Sequence, residues 1–213
     1  MLRLLEFHRS PNCVKVRIAL SYKGLPFEME EISSADRSPL LRAANWPLVP
    51  VLIDGEVRMR ESEAILHYLE SNHRDAPSLT PDRIEEIRRG DALRDETQAR
   101  LRPILRAAFN EAMKPEPNRD ASAVQRLGAA LEPALGPLER VLAASPFLLG
   151  ERMSTYDVVL ACTLMPARAS DEFARQSPMW AFLRDNLSLP ESMGGVRGWV
   201  DRVLEHDVPP ARA

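Results

Sequence analysis

The sequence predicts an α/β domain succeeded by an all-helical one, on three observations. Residues 1–74 alternate short apolar strands with helical stretches, residues 75–81 are rich in turn formers, and residues 82–213 read as helix. A chain of 213 residues is long enough for one large or two small domains, and it can bury a core without a disulfide or metal staple. The expected division is 1–74, a linker at 75–81, and 82–213.

Each element has a local reason. Leu2 to Phe7 is a short apolar-rich strand. Ser10-Pro11-Asn12 is a turn and helix start with Ser10 as a plausible cap, and Cys13 to Lys23 carries Val14, Ile18 and Tyr22 at helical spacing up to Gly24. Phe27 to Ile32 alternates as a strand, and residues 33–46 are irregular or weakly helical. Val51 to Ile53 is a strand, with Asp54-Gly55 turning into Glu56 to Met59 and Ser62 to Ser71 helical after it. The first two strands need a crossover and are parallel; the last two form an antiparallel hairpin. Beyond the linker, Asp82 to Met113 is one long periodic stretch with Pro103 inside it. Ala121 to Ala144 comes next, divided or bent by Pro133 and Pro137. Ser154 to Thr163 and Val196 to Glu205 are further helices.

Composition narrows the function. With 45% hydrophobic and 28% charged residues the chain has a globular profile. A net charge of −3 argues against a nucleic-acid partner. No stretch has the length of a membrane span, and Arg3, Glu6 and Arg9 interrupt the first apolar run, so neither a membrane partner nor a signal peptide is expected. Cys13 and Cys162 are too few for a disulfide framework and suit a reducing cytoplasm. The histidines lack metal-ligand spacing, so no metal is expected.

Four local features carry chemistry. Ser10-Pro11-Asn12-Cys13 lies between a strand and a helix, where free N–H groups and the helix dipole favour an anion such as a thiolate. Alternatively Ser10 simply caps the helix. Val49-Pro50 precedes a strand. A cis bond there would leave the Val49 N–H and C=O open to a peptide ligand, whereas a trans proline would be an ordinary strand start. Glu61-Ser62 opens a helix and offers an acceptor for an ammonium beside donors for a carboxylate, or else a plain Ser cap. Ser154-Thr155-Tyr156-Asp157 is a capping-box variant that orients a core helix.

In this order and spacing the four features resemble the glutathione transferase family over nearly the whole chain. Val16-Arg17-Ile18-Ala19-Leu20 through Lys23-Gly24-Leu25-Pro26-Phe27-Glu28 is similar to bacterial members. Phe147-Leu148-Leu149-Gly150 with the Ser154/Asp157 box is similar to the start of the family's sixth helix, and Trp199 to a tryptophan of its late helix. The resemblance implies a thioredoxin-like N-terminal domain, an all-α helical-bundle C-terminal domain, glutathione as co-substrate, a small electrophile as second substrate, and a homodimer. It implies that Ser10 donates to the glutathione sulfur, with Asn12 near it. Val49, beside the cis Pro50, would pair with the cysteinyl backbone, and Glu61 and Ser62 would hold the γ-glutamyl end. Cys13 occupies the more buried place of a C-x-x-C box, so it reads as core or auxiliary before nucleophile.

Two departures stand out. Leu48 occupies the place where a lysine often helps bind the glycine carboxylate of glutathione, and residues 166–195 do not resemble the family's usual ending. The leading expectation is a transferase that depresses the thiol pKa and places the thiolate beside an electrophile. A glutathione-dependent isomerase or disulfide reductase is one alternative, since Val16 to Leu20 is also similar to the maleylacetoacetate isomerase class. A non-enzymatic binding or regulatory protein on the same scaffold is the other. On the long helix, Arg94, Arg100, Arg102 and Arg106 read as a solvated face.

Overall fold

The computed structural model describes residues 1–208, apart from the side chains at positions 172 and 176. The chain divides into two compact units. One is Met1–Pro81 with the described residues from Val203 on; the other is Asp82–Arg202.

The first unit is built on a four-stranded sheet. Its strands are β1 (Leu2–Glu6), β2 (Phe27–Glu31), β3 (Val51–Asp54) and β4 (Val57–Arg60), in the order β2-β1-β3-β4. β1 runs parallel to β2 through the helical crossover α1 (Pro11–Tyr22), and β3 is antiparallel to both β1 and β4. The β3-β4 turn is centred on Gly55 and Glu56, one residue later than the sequence suggests, because Asp54 still pairs with Val57. Gly55 takes φ 53° at the first central position, which a side chain would resist.

Strand alternation sorts the core. Leu5, Val51 and Ile53 face one side with Ile32 and Leu40, and Phe7, Trp46 and Val49 pack against them. Leu4 and Leu52, both fully buried, point to the opposite side. Leu40 is the single buried residue of α2 (Ser38–Ala44), a seven-residue helix in the segment where the sequence shows only weak periodicity. Asn45, at φ 48°, ends it in the left-handed conformation. The helix α3 (Ser62–Asn72) packs against α1.

Helix α1 is not amphipathic: every residue from Cys13 to Leu20 is buried, Lys15 and Arg17 included. Arg17 is tolerated because its charge is answered twice. Its Nη1 donates to Glu6 Oε2 at 2.5 Å, and its Nε to Asp207 Oδ1 at 2.7 Å. His206 stacks edge-on against Tyr22, so this part of the tail belongs to the core of the first unit.

The segment 75–81, a linker by composition, is pinned. Glu70 accepts from Ser78 Oγ at 2.7 Å and from the N–H groups of Leu79 and Thr80, and Lys23 Nζ bonds both Glu70 Oε1 (2.9 Å) and the Pro77 carbonyl (3.0 Å).

The second unit is helical. Its helices are α4 (Ile84–Ala112), α5 (Ala121–Ala129), α6 (Leu131–Leu142), α7 (Thr155–Leu164), α8 (Asp171–Gln176), α9 (Pro178–Asn186) and, up to Arg202, α10 (Gly194–Leu204). α4 continues through Pro103. Ala99, four residues back, is exposed, so water can take the carbonyl that Pro103 leaves unpaired. The break between α5 and α6 falls at Ala130. Pro133 instead occupies the first turn of α6, where a missing N–H has no cost. Residues 166–195, unassigned from sequence, hold α8 and α9.

Asp157 organises the centre of this unit. Fully buried, it accepts from the Ser154 N–H (2.8 Å), the Leu148 N–H (2.9 Å) and Trp199 Nε1 (2.8 Å). These bonds join the Phe147–Gly150 turn, the start of α7 and α10; burial raises the carboxyl pKa, and the bonds hold back only part of that rise. Arg100 and Arg102 lie exposed on α4, paired with Glu96 and Gln98 of the same helix, and Arg106 is exposed as well. No described helix is long and apolar enough to cross a membrane.

Candidate functional site

The candidate residues of the first unit gather where strands end and helices begin. Ser10 is the N-cap residue of α1, with its backbone extended (φ −78°, ψ 122°). The Ser10 N–H donates to the Phe7 carbonyl, and the Ser10 carbonyl accepts from Cys13 and Val14, which closes the turn. The hydroxyl does not cap the helix, although Ser10 holds the capping position.

Cys13 lies inside this turn. It is fully buried, and its sulfur accepts from the Phe7 N–H at 3.4 Å. Burial pushes its thiol up to about 12, although the Phe7 N–H and the Ser10 hydroxyl both favour the thiolate. A thiol held this way stays protonated at neutral pH.

Val49 and Pro50 sit just ahead of β3, and the peptide between them is cis. The ladder begins at Val51, and among the described residues the Val49 N–H and C=O take no backbone partner. Val49 is half-buried against the Leu5–Val51 cluster, while Leu48 beside it is 54% exposed. Nearby cations stack on aromatic rings: Arg60 lies 5.0 Å from the Trp46 ring centroid and Arg37 4.2 Å from that of Phe7.

Glu61 is held at φ 66°, ψ 120°, a conformation that a non-glycine residue adopts only when its surroundings impose it. It serves as the N-cap residue of α3 without a side-chain cap bond, so the first N–H groups of that helix remain open. Ser62, the next residue, is 7% exposed. Its Oγ lies 3.5 Å from Asn12 Oδ1, which brings the start of α3 to the start of α1. Asn12 Oδ1 also accepts from Lys15 Nζ at 3.1 Å.

The structure thus brings Asn12 and Ser62 together directly, and Ser10 and Cys13 share the turn that positions Asn12. Through Asn12, Lys15 joins this cluster, and the sequence reading misses it. Its signal is a lysine that, with Arg17, interrupts the apolar run Val14 to Leu20. Among the described residues no group of three or more His, Cys, Asp or Glu side chains is placed to hold a metal ion.

Comparison with known proteins identifies both units. Residues 4–77 match the glutathione S-transferase N-terminal domain, and residues 121–202 the glutathione S-transferase C-terminal domain. A probable glutathione S-transferase, GSTU6, of Oryza sativa subsp. japonica is 32% identical over 165 residues, covering 75% of this chain and 69% of that protein. A probable maleylacetoacetate isomerase of Vibrio cholerae is 34% identical over 107 residues, 47% of this chain and 49% of that protein. Among solved structures, rice GST1 (OsGSTU1) in complex with glutathione superposes with TM-score 0.68 at 26% identity, covering 94% of this chain and 86% of that one. The tau class enzyme MiGSTU from mango superposes with TM-score 0.71 at 21% identity, covering 95% and 87%, and shares the fold. A thioredoxin-like sheet unit and an all-helical unit, each matched to its own domain family, place the chain in the glutathione S-transferase family.

Proposed function

We propose that the chain is a glutathione transferase whose first unit binds glutathione and activates its thiol. The observation that carries this reading is the meeting of two helix starts: Ser62 Oγ lies 3.5 Å from Asn12 Oδ1, so the uncapped N-terminus of α3 faces that of α1, where Ser10 holds the N-cap position. The γ-glutamyl end lies at Glu61 and Ser62. A carboxylate there meets the Ser62 hydroxyl and the open N–H groups of α3, while Glu61 accepts from the ammonium. The cysteinyl backbone pairs with Val49 as an added strand. The sulfur then reaches Ser10, whose hydroxyl donates to the thiolate. The positive end of the α1 dipole lowers the thiol pKa further. Cys13 supports the turn as a neutral buried thiol. The electrophile is attacked by the bound thiolate, so rate comes from proximity and thiolate stabilisation.

Calorimetric titration with glutathione tests the first step, and turnover of an activated aryl halide tests the second. Saturable binding at millimolar or lower concentration with thiol-dependent turnover is the expected result, and heat-silent mixing at millimolar ligand refutes it.

A second reading, a glutathione-dependent isomerase, is favoured by the similarity to the Vibrio cholerae protein. It uses the same glutathione site, with isomerisation of an activated double bond as the distinguishing assay. Family membership also supports a homodimer, and sedimentation of a monomer at micromolar concentration would contradict that assembly.

A further inference from the structure

Lys15 is an exception among the buried cations of this protein. Arg17 has carboxylates from Glu6 and Asp207, and Lys23 has Glu70 and a carbonyl. Lys15 is 7% exposed, and its ammonium has one partner among the described residues, the neutral Asn12 Oδ1 at 3.1 Å. An ammonium carries three protons and is strongly hydrated in water, so a single amide oxygen answers neither its charge nor its remaining donors. Burying a cation this way is unfavourable unless an anion completes the arrangement.

The surroundings are suited to supplying that anion from outside. Lys15 lies one helical turn after Asn12, and helical side chains lean back toward the N-terminus, so its ammonium returns to the mouth of α1. Ser62 Oγ reaches the same Asn12 oxygen at 3.5 Å. The first N–H groups of α3, an eleven-residue helix, open at the same place without a side-chain cap. An ammonium, a hydroxyl and the positive end of a helix therefore converge on one neutral oxygen. Such a set of donors selects a carboxylate.

We propose that Lys15 is a binding residue, the charge partner of the α-carboxylate at the γ-glutamyl end of glutathione. The inference rests on the glutathione-binding reading and deepens it: specificity for that end comes from a buried ammonium as well as from Ser62.

The test compares two ligands on three proteins by calorimetry. The ligands are glutathione and γ-aminobutyryl-cysteinylglycine, which lacks only the α-carboxylate. Wild type should prefer glutathione by about tenfold or more, the scale of a hydrogen bond to a charged group. Lys15→Gln should weaken glutathione by a similar factor and leave the decarboxylated ligand unchanged, so that the preference collapses. Lys15→Arg, which keeps the charge, should retain most of it. The unliganded Lys15→Gln protein should melt at or above the wild-type temperature, because an unpaired buried charge has been removed. If wild type binds neither ligand, the glutathione reading and this inference both fail. If wild type binds glutathione and Lys15→Gln binds it equally well, or loses both ligands equally while melting lower, Lys15 is structural and only this inference is overturned.

Discussion

Asn12 Oδ1 and Ser62 Oγ lie 3.5 Å apart although 50 residues separate them in the chain. This one approach joins two turns into the candidate site, because it sets the N-terminus of α1 against that of α3. Ser62→Ala removes the hydroxyl from the anion end of that site. Glutathione affinity should fall by about 1 kcal/mol or more, as for other hydrogen bonds to charged groups. A titration that returns the wild-type dissociation constant would remove Ser62 from the site.

Ser10 and Cys13 should separate cleanly. Ser10→Ala should raise the pKa of bound glutathione and cut turnover by roughly 10²-fold, the scale of losing one preorganised donor. Cys13→Ala leaves a small cavity in a filled turn and should cost about 1 kcal/mol of stability with turnover kept. The pH profile of turnover, read on both variants, decides between them. Loss of activity in Cys13→Ala with Ser10→Ala intact would move the chemistry to the cysteine.

Leu48 offers a gain-of-function test. It is exposed next to Val49, where a charged side chain meets no steric obstacle from the core. Leu48→Lys should tighten glutathione binding by about 1 kcal/mol at low salt, the upper range for an exposed ion pair, and the gain should shrink as salt is added. An affinity unchanged at every ionic strength would mean that the glycine carboxylate lies elsewhere.

The Glu70 cluster gives a pH dependence. Burial alone would raise the Glu70 carboxyl, but hydrogen bonds from Lys23, Ser78 and Leu79 hold it below its ordinary value of 4.5. The folded protein therefore binds this proton less readily than the unfolded chain. The resulting stability is present above pH 4.5 and is lost as pH falls through the depressed value. Glu70→Gln should lower stability at pH 7 by about 2 kcal/mol, since Lys23 is left buried without its anion. Denaturant titrations at neutral and acid pH should show the gap closing in acid; a gap independent of pH would contradict this role.

Much of this architecture is legible in the sequence, and the failures have physical causes. β1, α1, β2, β3, β4 and α3 emerge near their ends because alternation and turn residues are local signals. α2 does not, since seven residues with one buried side chain carry almost no periodicity. Pro133 looks like a breaker but sits in a first turn, where proline is accommodated. Ser10, Val49, Glu61 and Ser62 stand at strand and helix ends, where local turn and cap signals place them. Lys15 is not, because charge within α1 looks like a solvated face until α1 is seen to be enclosed on all sides. Arg17 is hidden for a further reason: its partner Asp207 is 190 residues away.

That last pairing bears on how this protein can be dissected. The thioredoxin-like unit is assembled from residues 1–81 and the described residues from Val203 on, so a fragment stopped at Pro81 is incomplete in spite of containing every described strand. Its Arg17 would keep Glu6 but lose the carboxylate that receives Nε and Nη2. Such a fragment should express poorly or melt early, and a synthetic peptide spanning residues 203–213, supplied in trans, should restore it. Fusing that peptide through a flexible tether to the fragment's N-terminus would give a rearranged gene encoding the sheet unit by itself.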